Sequence, residues 1–167
     1  MTRENFDEAV DLILGPTIEG GYSNDPRDPG GETNHGISKR AHPNVDIKNL
    51  TTEGAAEIYL REYWIPAHCD DLPWPLDVVV FDSAVNQGVV TAVELLQKTA
   101  NVAQDGSWGP KTKAAVANGT RLDLAEFVAL FMADRALRYT GTRNFDIYGR
   151  GWLKRLFKIC MDKSVSF

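Results

Sequence analysis

The chain has 167 residues, of which 43% are hydrophobic and 25% charged, and a net charge of −5. This balance is that of an ordinary globular domain and excludes a disordered or fibrous chain. No stretch approaches the roughly 18 consecutive apolar residues of a membrane span. Cys69 and Cys160 are too few and too isolated for a disulfide framework or a thiolate zinc site, so we expect a reduced, cytoplasmic protein.

The N-terminal segment predicts a first helix from about residue 5 to 18. Asn5 and Glu8 have the spacing of a capping box, and Gly20 and Gly21 follow where a helix needs a terminating residue. Apolar residues recur between them at helical spacing, at Phe6, Val10, Ile13 and Leu14. The segment carries acids where a secretory signal carries a basic region, so we expect no signal peptide.

Residues 22–50 are rich in proline, glycine and Asx residues, which favour turns over helix. We expect an irregular loop or a short β-hairpin here. Irregular segments of this length in small domains are more often functional than idle.

The remainder predicts helices separated by short breaks. Thr51 is a candidate N-cap, Pro75 opens a helix that Gly88 ends, and Pro110 opens one that Gly119 ends. Apolar periodicity predicts the other helices at about 89–100, 124–139 and 147–162. The fold class is therefore mainly α, with one irregular or hairpin insertion after the first helix.

The charge is unevenly distributed along the chain. Residues 1–134 carry a net −11 and residues 135–167 a net +6. A basic tail favours contact with an anionic envelope surface, whereas the competing interpretation is an ordinary solvated helix face. No DNA-binding motif surrounds the tail, so we expect no nucleic-acid partner.

Glu19 is the strongest candidate for acid–base chemistry. It lies at the predicted C-terminal end of a helix, after an apolar run, and both features raise a carboxyl pKa. Asp28 follows in a polar loop that keeps a carboxylate ionised, and Thr33 can hold a water molecule. Two carboxyl groups in contrasting environments are what glycoside hydrolysis requires. The alternative is that Glu19 is a solvated surface group.

The order of motifs resembles a known family. The run Glu19-Gly20-Gly21-Tyr22, the series Asp28-Pro29-Gly30-Gly31, and the positions Tyr63-Trp64 and Phe81-Asp82 are similar to the phage-type N-acetylmuramidases of glycoside hydrolase family 108. From Leu96 to Thr112, including Trp108-Gly109-Pro110, the chain resembles the small peptidoglycan-binding segment that usually follows.

This resemblance implies a lysozyme-like fold that cleaves the β-1,4 bond between N-acetylmuramic acid and N-acetylglucosamine. It places Glu19 at the catalytic position. The series Glu19, Asp28 and Thr33 is one residue shorter before the Thr than in phage lysozymes, and Asn34 satisfies the longer spacing. Asp25, in the same loop, is the rival for the second carboxylate.

Several further residues are candidates for contact with the glycan. Aromatic rings offer apolar faces to sugar rings, and amides hydrogen-bond N-acetyl groups. Core packing is the alternative for the aromatic residues, and a helix cap is the alternative for Asn86. We assign substrate binding to Tyr22, Asp25, Asn34, His35, Trp64 and Asn86. Trp108 fits a glycan platform or a packing anchor equally well.

Other chemistries have no matching pattern. The three histidines lack paired ligand spacing, and no phosphate-binding glycine loop or Ser/Cys nucleophile with a His partner is present. We therefore expect no metal and no cofactor.

These observations predict a phage endolysin, a bacteriolytic and hence antimicrobial muramidase that degrades peptidoglycan during host lysis. We expect it to be a monomer of one domain, 1–167, with a catalytic segment 5–88 and a peptidoglycan-binding segment 89–163. It would stay in the host cytoplasm until a holin-type partner opens the membrane, and then act in the periplasm. The alternatives are a lytic transglycosylase and a non-catalytic peptidoglycan-binding or secretion-accessory protein.

Overall fold

A computed structural model describes residues 3–15, 21–24 and 31–165. These residues form a mainly helical fold with one small hairpin, as the sequence predicts. The α-helices are α1 (Arg3–Leu14), α2 (Thr52–Tyr59), α3 (Leu76–Gln87), α4 (Val89–Thr99), α5 (Pro110–Leu122), α6 (Leu124–Thr140) and α7 (Phe145–Cys160).

Helix α1 is shorter than predicted. It ends at Leu14 rather than near residue 18, because Pro16 has no backbone N–H to donate and disfavours helical geometry at Gly15. The predicted inward face is confirmed for Phe6, Val10 and Ile13, which are at most 4% exposed.

The insertion after α1 contains an antiparallel hairpin of β1 (Thr33–Asn34) and β2 (Ile37–Ser38). The two turn residues, His35 and Gly36, both have positive φ, at 50° and 75°. Two consecutive left-handed residues make the type of turn whose twist matches a two-residue hairpin. Isolated pairing of Ser23 with Thr33 adds a further backbone segment to this sheet.

Helix α2 begins as the sequence predicts, since Thr51 Oγ1 accepts a hydrogen bond from the Gly54 N–H at 3.1 Å. It then widens into a π-helical turn over Leu60–Trp64, and a short 3-10 helix follows at Cys69–Asp71. The π-helical turn was not predicted, because its side-chain pattern does not differ from that of an α-helix over so few residues.

Helix α3 is the centre of the fold. Its residues from Leu76 to Ala84 are buried on all sides, and it packs against α1, α4 and α6. Edge-to-face ring contacts join Phe81 to Phe6 and to Trp64, with ring centroids 5.9 and 5.3 Å apart. This aromatic cluster fixes α1 and the π-helical turn against the central helix.

Helix α5 continues through Gly119 to Leu122, so the predicted stop at Gly119 is wrong. The glycine has a packing role instead. A Cβ atom at this position would lie 2.6 Å from Cδ2 of Phe127, so only glycine lets the α6 ring approach so closely. Helices α6 and α7 lie within about two residues of their predicted bounds.

A buried ion cluster joins α3, α6 and α7. Asp82 and Arg135 are 0% exposed, and their Oδ2 and Nη2 atoms are in contact at 2.5 Å. Arg155 reaches the other carboxylate oxygen, with Nη2 at 2.7 Å. Burial raises the pKa of Asp82, but the two guanidinium groups outweigh it and hold that pKa below its usual range.

Among the described residues, no helix combines the length and the apolar character needed to cross a bilayer.

Candidate active site

Two contacts join the residues at the end of the Glu-Gly-Gly-Tyr run to residues 32 and 33. Tyr22 donates its hydroxyl hydrogen to Glu32 Oε1 at 2.8 Å. Next to it, Ser23 and Thr33 exchange two backbone hydrogen bonds, each 2.8 Å long. Residues 22 and 23 are thus held against residues 32 and 33 at the start of the hairpin.

Three of the carboxyl groups expected in the site lie outside the described residues. These are Glu19, Asp25 and Asp28. Residues 21–24 and 31–38, which follow and flank them in the chain, are described. Sequence reasoning missed Ser23 and Glu32 in this region, because their partners depend on a hairpin register that no local motif reveals.

Tyr22 is the predicted substrate contact with the most open ring, with 47% of its surface exposed. The hydrogen bond to Glu32, together with the negative charge of that carboxylate, raises the pKa of the Tyr22 phenol. Its hydroxyl is therefore held as a neutral donor, while the ring face stays open to solvent.

The side chains of the hairpin residues Thr33 and Asn34 form hydrogen bonds within the protein that stabilise the hairpin and the loop after it. Thr33 is half-buried, and its hydroxyl donates to the Gly31 carbonyl at 3.2 Å. The Asn34 side chain is 7% exposed and donates to the carbonyls of Ile47 and Leu50, at 3.1 and 3.3 Å. Asn34 therefore anchors the following loop, and its amide N–H groups are used within the protein.

His35 occupies the turn of the hairpin. Its carbonyl accepts a hydrogen bond from the Tyr59 hydroxyl at 3.0 Å, which ties the turn to α2. The side chain is half-buried. The backbone of His35 is thus fixed against α2.

Trp64 requires a correction. Its ring is 1% exposed and packs edge-on against Phe6 and Phe81, while its indole N–H donates to Asp70 at 2.9 Å. Such a ring has no open face for a sugar to stack on. The structure instead gives Trp64 a core role, because the π-helical turn directs it inward.

Asn86 belongs to a separate polar network at the end of α3. Its Oδ1 atom accepts a hydrogen bond from the Tyr139 hydroxyl at 2.6 Å, and Arg135 donates to the same hydroxyl at 3.1 Å. A cavity of about 280 Å³ adjoins them, lined by Asn86, Gln87, Thr91, Arg138, Tyr139, Thr142 and Trp152. Sequence reasoning missed Arg138 and Trp152 here, since only the helix packing brings them beside α3.

Trp108 is a packing anchor in the structure. Its ring stacks on His68 with centroids 5.4 Å apart, and its indole N–H donates to Asp71 at 3.0 Å. Lys113 reaches the same carboxylate at 2.6 Å, and these hydrogen bonds, that of Lys113 foremost, lower the pKa of Asp71. The contacts fasten the segment before α5 to the 3-10 helix.

Within the part of the chain that the structure describes, no three His, Cys, Asp or Glu side chains are grouped as metal ligands.

The comparisons with known proteins agree with this fold and loop. The family model described as Glycosyl hydrolase 108 matches residues 15–88. A solved structure of SagA from Brucella abortus is 32% identical and superposes with a TM-score of 0.79, covering 94% of this chain and 92% of that chain. No curated protein matches the sequence.

These findings make the chain a glycoside hydrolase with a lysozyme-like fold. It belongs to the glycosyl hydrolase 108 family, and this membership indicates a muramidase-like activity on peptidoglycan.

Proposed function

We propose that the protein is an N-acetylmuramidase of the lysozyme type, which hydrolyses the β-1,4 bond between N-acetylmuramic acid and N-acetylglucosamine. The family supports the reaction class. The observation that carries the proposal is the pairing of Ser23 with Thr33, because it ties the chain just after the Glu-Gly-Gly-Tyr run to the hairpin.

In the proposed mechanism, Glu19 is the general acid and protonates the glycosidic oxygen as the bond breaks. Asp28 is the ionised partner that stabilises the positive charge on the sugar or activates the attacking water. Thr33, at the base of the loop, holds that water. Asp25 is the rival of Asp28, since both lie between Tyr22 and Glu32 in the sequence.

Substrate binding is assigned to residues around this loop. The open ring of Tyr22 stacks on a pyranose face, and Asp25 and His35 hydrogen-bond the hydroxyl groups. Asn86 contacts an N-acetyl group from the cavity at the end of α3. Asn34 and Trp64 act by holding the scaffold, because their polar hydrogens are donated within the protein.

The test is cleavage of purified peptidoglycan sacculi. Glu19→Gln removes the transferable proton and should lower the rate by about 10²- to 10⁴-fold without unfolding the protein. Glu8→Gln, on the exposed side of α1, is the matched control and should keep full activity. A folded Glu19→Gln protein with near-wild-type activity overturns the proposal.

The second carboxylate is decided by comparing Asp28→Asn with Asp25→Asn. We expect the Asp28 variant to lose activity and the Asp25 variant to keep most of it. The opposite result transfers the role to Asp25.

Product analysis separates the alternatives. Hydrolysis adds a water molecule to each cleaved bond, whereas a lytic transglycosylase leaves an anhydro-sugar end. Mass spectrometry of the released fragments should therefore show hydrated reducing ends. Binding to sacculi without any released end indicates instead a non-catalytic peptidoglycan-binding or secretion-accessory protein.

We further propose that the protein acts as an endolysin, a phage enzyme for host lysis. In this role it accumulates as a monomer in the host cytoplasm until a holin-type membrane partner releases it to the periplasm. Segment 5–88 carries the catalysis and segment 89–163 binds peptidoglycan. Expression in bacteria with and without a holin tests this role, since lysis should require both proteins.

A further inference from the structure

Helix α7 has two contrasting faces. Leu156 and Ile159 are at most 6% exposed and face the core, and Arg155 on the same side pairs with buried Asp82. This inward part of the basic tail contributes to folding. What remains for a partner is the opposite face of the helix.

The outward face combines cations with large apolar side chains. Arg150, Lys154, Phe157 and Met161 follow one another at spacings of four, three and four residues, which places them on one side of a helix. Phe157 is 61% exposed and Met161 81%. With Phe145, Asp146, Leu153 and Lys158 they line a shallow groove of about 730 Å³.

We propose that this face of α7, defined by Arg150, Lys154, Phe157 and Met161, docks on an anionic phospholipid membrane. Exposed apolar side chains of an interfacial helix enter the boundary between headgroups and acyl chains, while flanking cations reach the lipid phosphates. The spacing on α7 provides both kinds of group side by side. This inference is independent of the proposed catalytic function.

Charge argues for a membrane over a second copy of the chain. The groove is lined by three cations, Arg150, Lys154 and Lys158, and by one acid, Asp146, so its net charge is positive. A symmetric pairing through this face would bring two positively charged surfaces together, which is unfavourable. An anionic polysaccharide would satisfy the cations but would leave Phe157 and Met161 uncovered. A membrane satisfies both groups at once.

The net charge of the whole protein restricts which surface can face an anionic membrane. The net charge is −5, so an anionic surface repels the molecule as a whole. Attachment to such a surface therefore depends on the local cations, and it orients α7 towards the lipid.

The experiment is flotation of the full-length protein with two kinds of vesicle. One contains phosphatidylcholine alone, and the other also contains phosphatidylglycerol. We expect binding to the phosphatidylglycerol vesicles only, weakened by added salt. Equal binding to both vesicles, or to neither, overturns the proposal.

Two variants with matched controls locate the surface. Lys154→Glu should lower binding by about tenfold or more, whereas Lys111→Glu, an equal charge change on exposed α5, should leave it nearly unchanged. Phe157→Ser should likewise lower binding by about tenfold, whereas Leu122→Ser, at a position 71% exposed, should not.

Three further outcomes contradict the assignment. Equal losses in a variant and its control indicate that the binding does not occur through α7. Self-association of the wild type that Phe157→Ser abolishes indicates an interface between copies instead. Binding to a soluble anionic polysaccharide that Phe157→Ser leaves unchanged, without vesicle binding, indicates a polymer site. Circular dichroism confirms that each variant is folded.

Discussion

Tyr22 and Glu32, ten residues apart in the chain, are joined by a hydrogen bond of 2.8 Å between the phenol hydroxyl and Oε1. In the sequence, Asp25 and Asp28 lie between these two residues, after the Glu-Gly-Gly-Tyr run. The hydrogen bond therefore fixes an open aromatic ring against Glu32, at the start of the hairpin.

Removal of this bond is expected to affect activity more than stability. Tyr22→Phe keeps the ring but removes the hydrogen bond that positions it against Glu32, so we predict a loss of about fivefold in kcat/KM on soluble glycan fragments. The unfolding midpoint should not change, because the hydroxyl lies at the surface. Tyr148→Phe, at an exposed tyrosine of α7, is the control and should leave kcat/KM unchanged. Equal activity of the two variants would contradict a positioning role for Tyr22.

Asp77 is expected to make the protein less stable as the pH rises. Burial raises the pKa of this carboxyl from 3.8 to about 6, against the hydrogen bonds from Asn5 and the Val78 N–H. A pKa that is higher in the folded state favours folding below pH 3.8, and this contribution is lost as the pH rises through about 6.

Asp77→Asn should therefore raise the free energy of unfolding at pH 7.5 by about 1 to 2 kcal/mol and have little effect at pH 4. Urea unfolding of both proteins across this pH range measures the difference. A variant whose stability parallels that of the wild type at every pH would show that Asp77 is not the titrating group.

Replacement of two helical glycines by alanine should change the free energy of unfolding in opposite directions. At Gly119 the added Cβ would lie 2.6 Å from Cδ2 of Phe127, so Gly119→Ala should lower the free energy of unfolding by about 1 to 3 kcal/mol. At Gly151 nothing lies within 4 Å, so Gly151→Ala should raise it by up to about 1 kcal/mol. Thermal unfolding checks both, and a stabilised Gly119→Ala protein would contradict the packing role.

The buried carboxylate of Asp82 should contribute much more to the free energy of unfolding than a surface carboxylate does. Asp82→Asn leaves Arg135 and Arg155 without their counter-charge, so we predict a loss of about 3 to 5 kcal/mol in the free energy of unfolding. Asp134→Asn, which removes a pair with Lys98 at the surface, should cost about 1 kcal/mol or less.

The lowered pKa of Asp82 also predicts the direction in which stability changes with pH. Because this pKa is lowered in the folded state, its stabilising contribution is present above the unfolded-state value of 3.8 and is lost at lower pH. The wild type should lose stability in acid below that pH, and the Asp82→Asn protein should lose less. Similar acid sensitivity in the two proteins would show that groups other than Asp82 cause the loss of stability in acid.

Local sequence signals predicted much of the fold. The threonine cap of α2, the proline that opens α5 and the glycine that follows α3 act on the adjacent backbone, so a linear pattern reveals them. Gly119 shows the limit of such rules. A glycine is needed there because the Phe127 ring of α6 packs against it, and the local sequence does not reveal this contact.

In the candidate site, too, tertiary contacts decided what local sequence signals could not. Tyr22 was expected to contact the glycan, and 47% of its surface is exposed. Trp64 and Asn34 were expected to face a glycan, yet both direct their polar hydrogens into the protein. Aromatic and amide side chains serve packing and recognition equally well, and only the surrounding tertiary structure decides between the two.

The ion cluster at Asp82 also restricts how this enzyme can be recombined with its relatives. Its carboxylate belongs to the segment 5–88, while both guanidinium groups belong to the segment 89–163. A chimera joined between α3 and α4 would leave two buried cations stranded unless the donor of the first half brings an acid at the same position. Exchange of either segment between relatives therefore has to keep Asp82, Arg135 and Arg155 together.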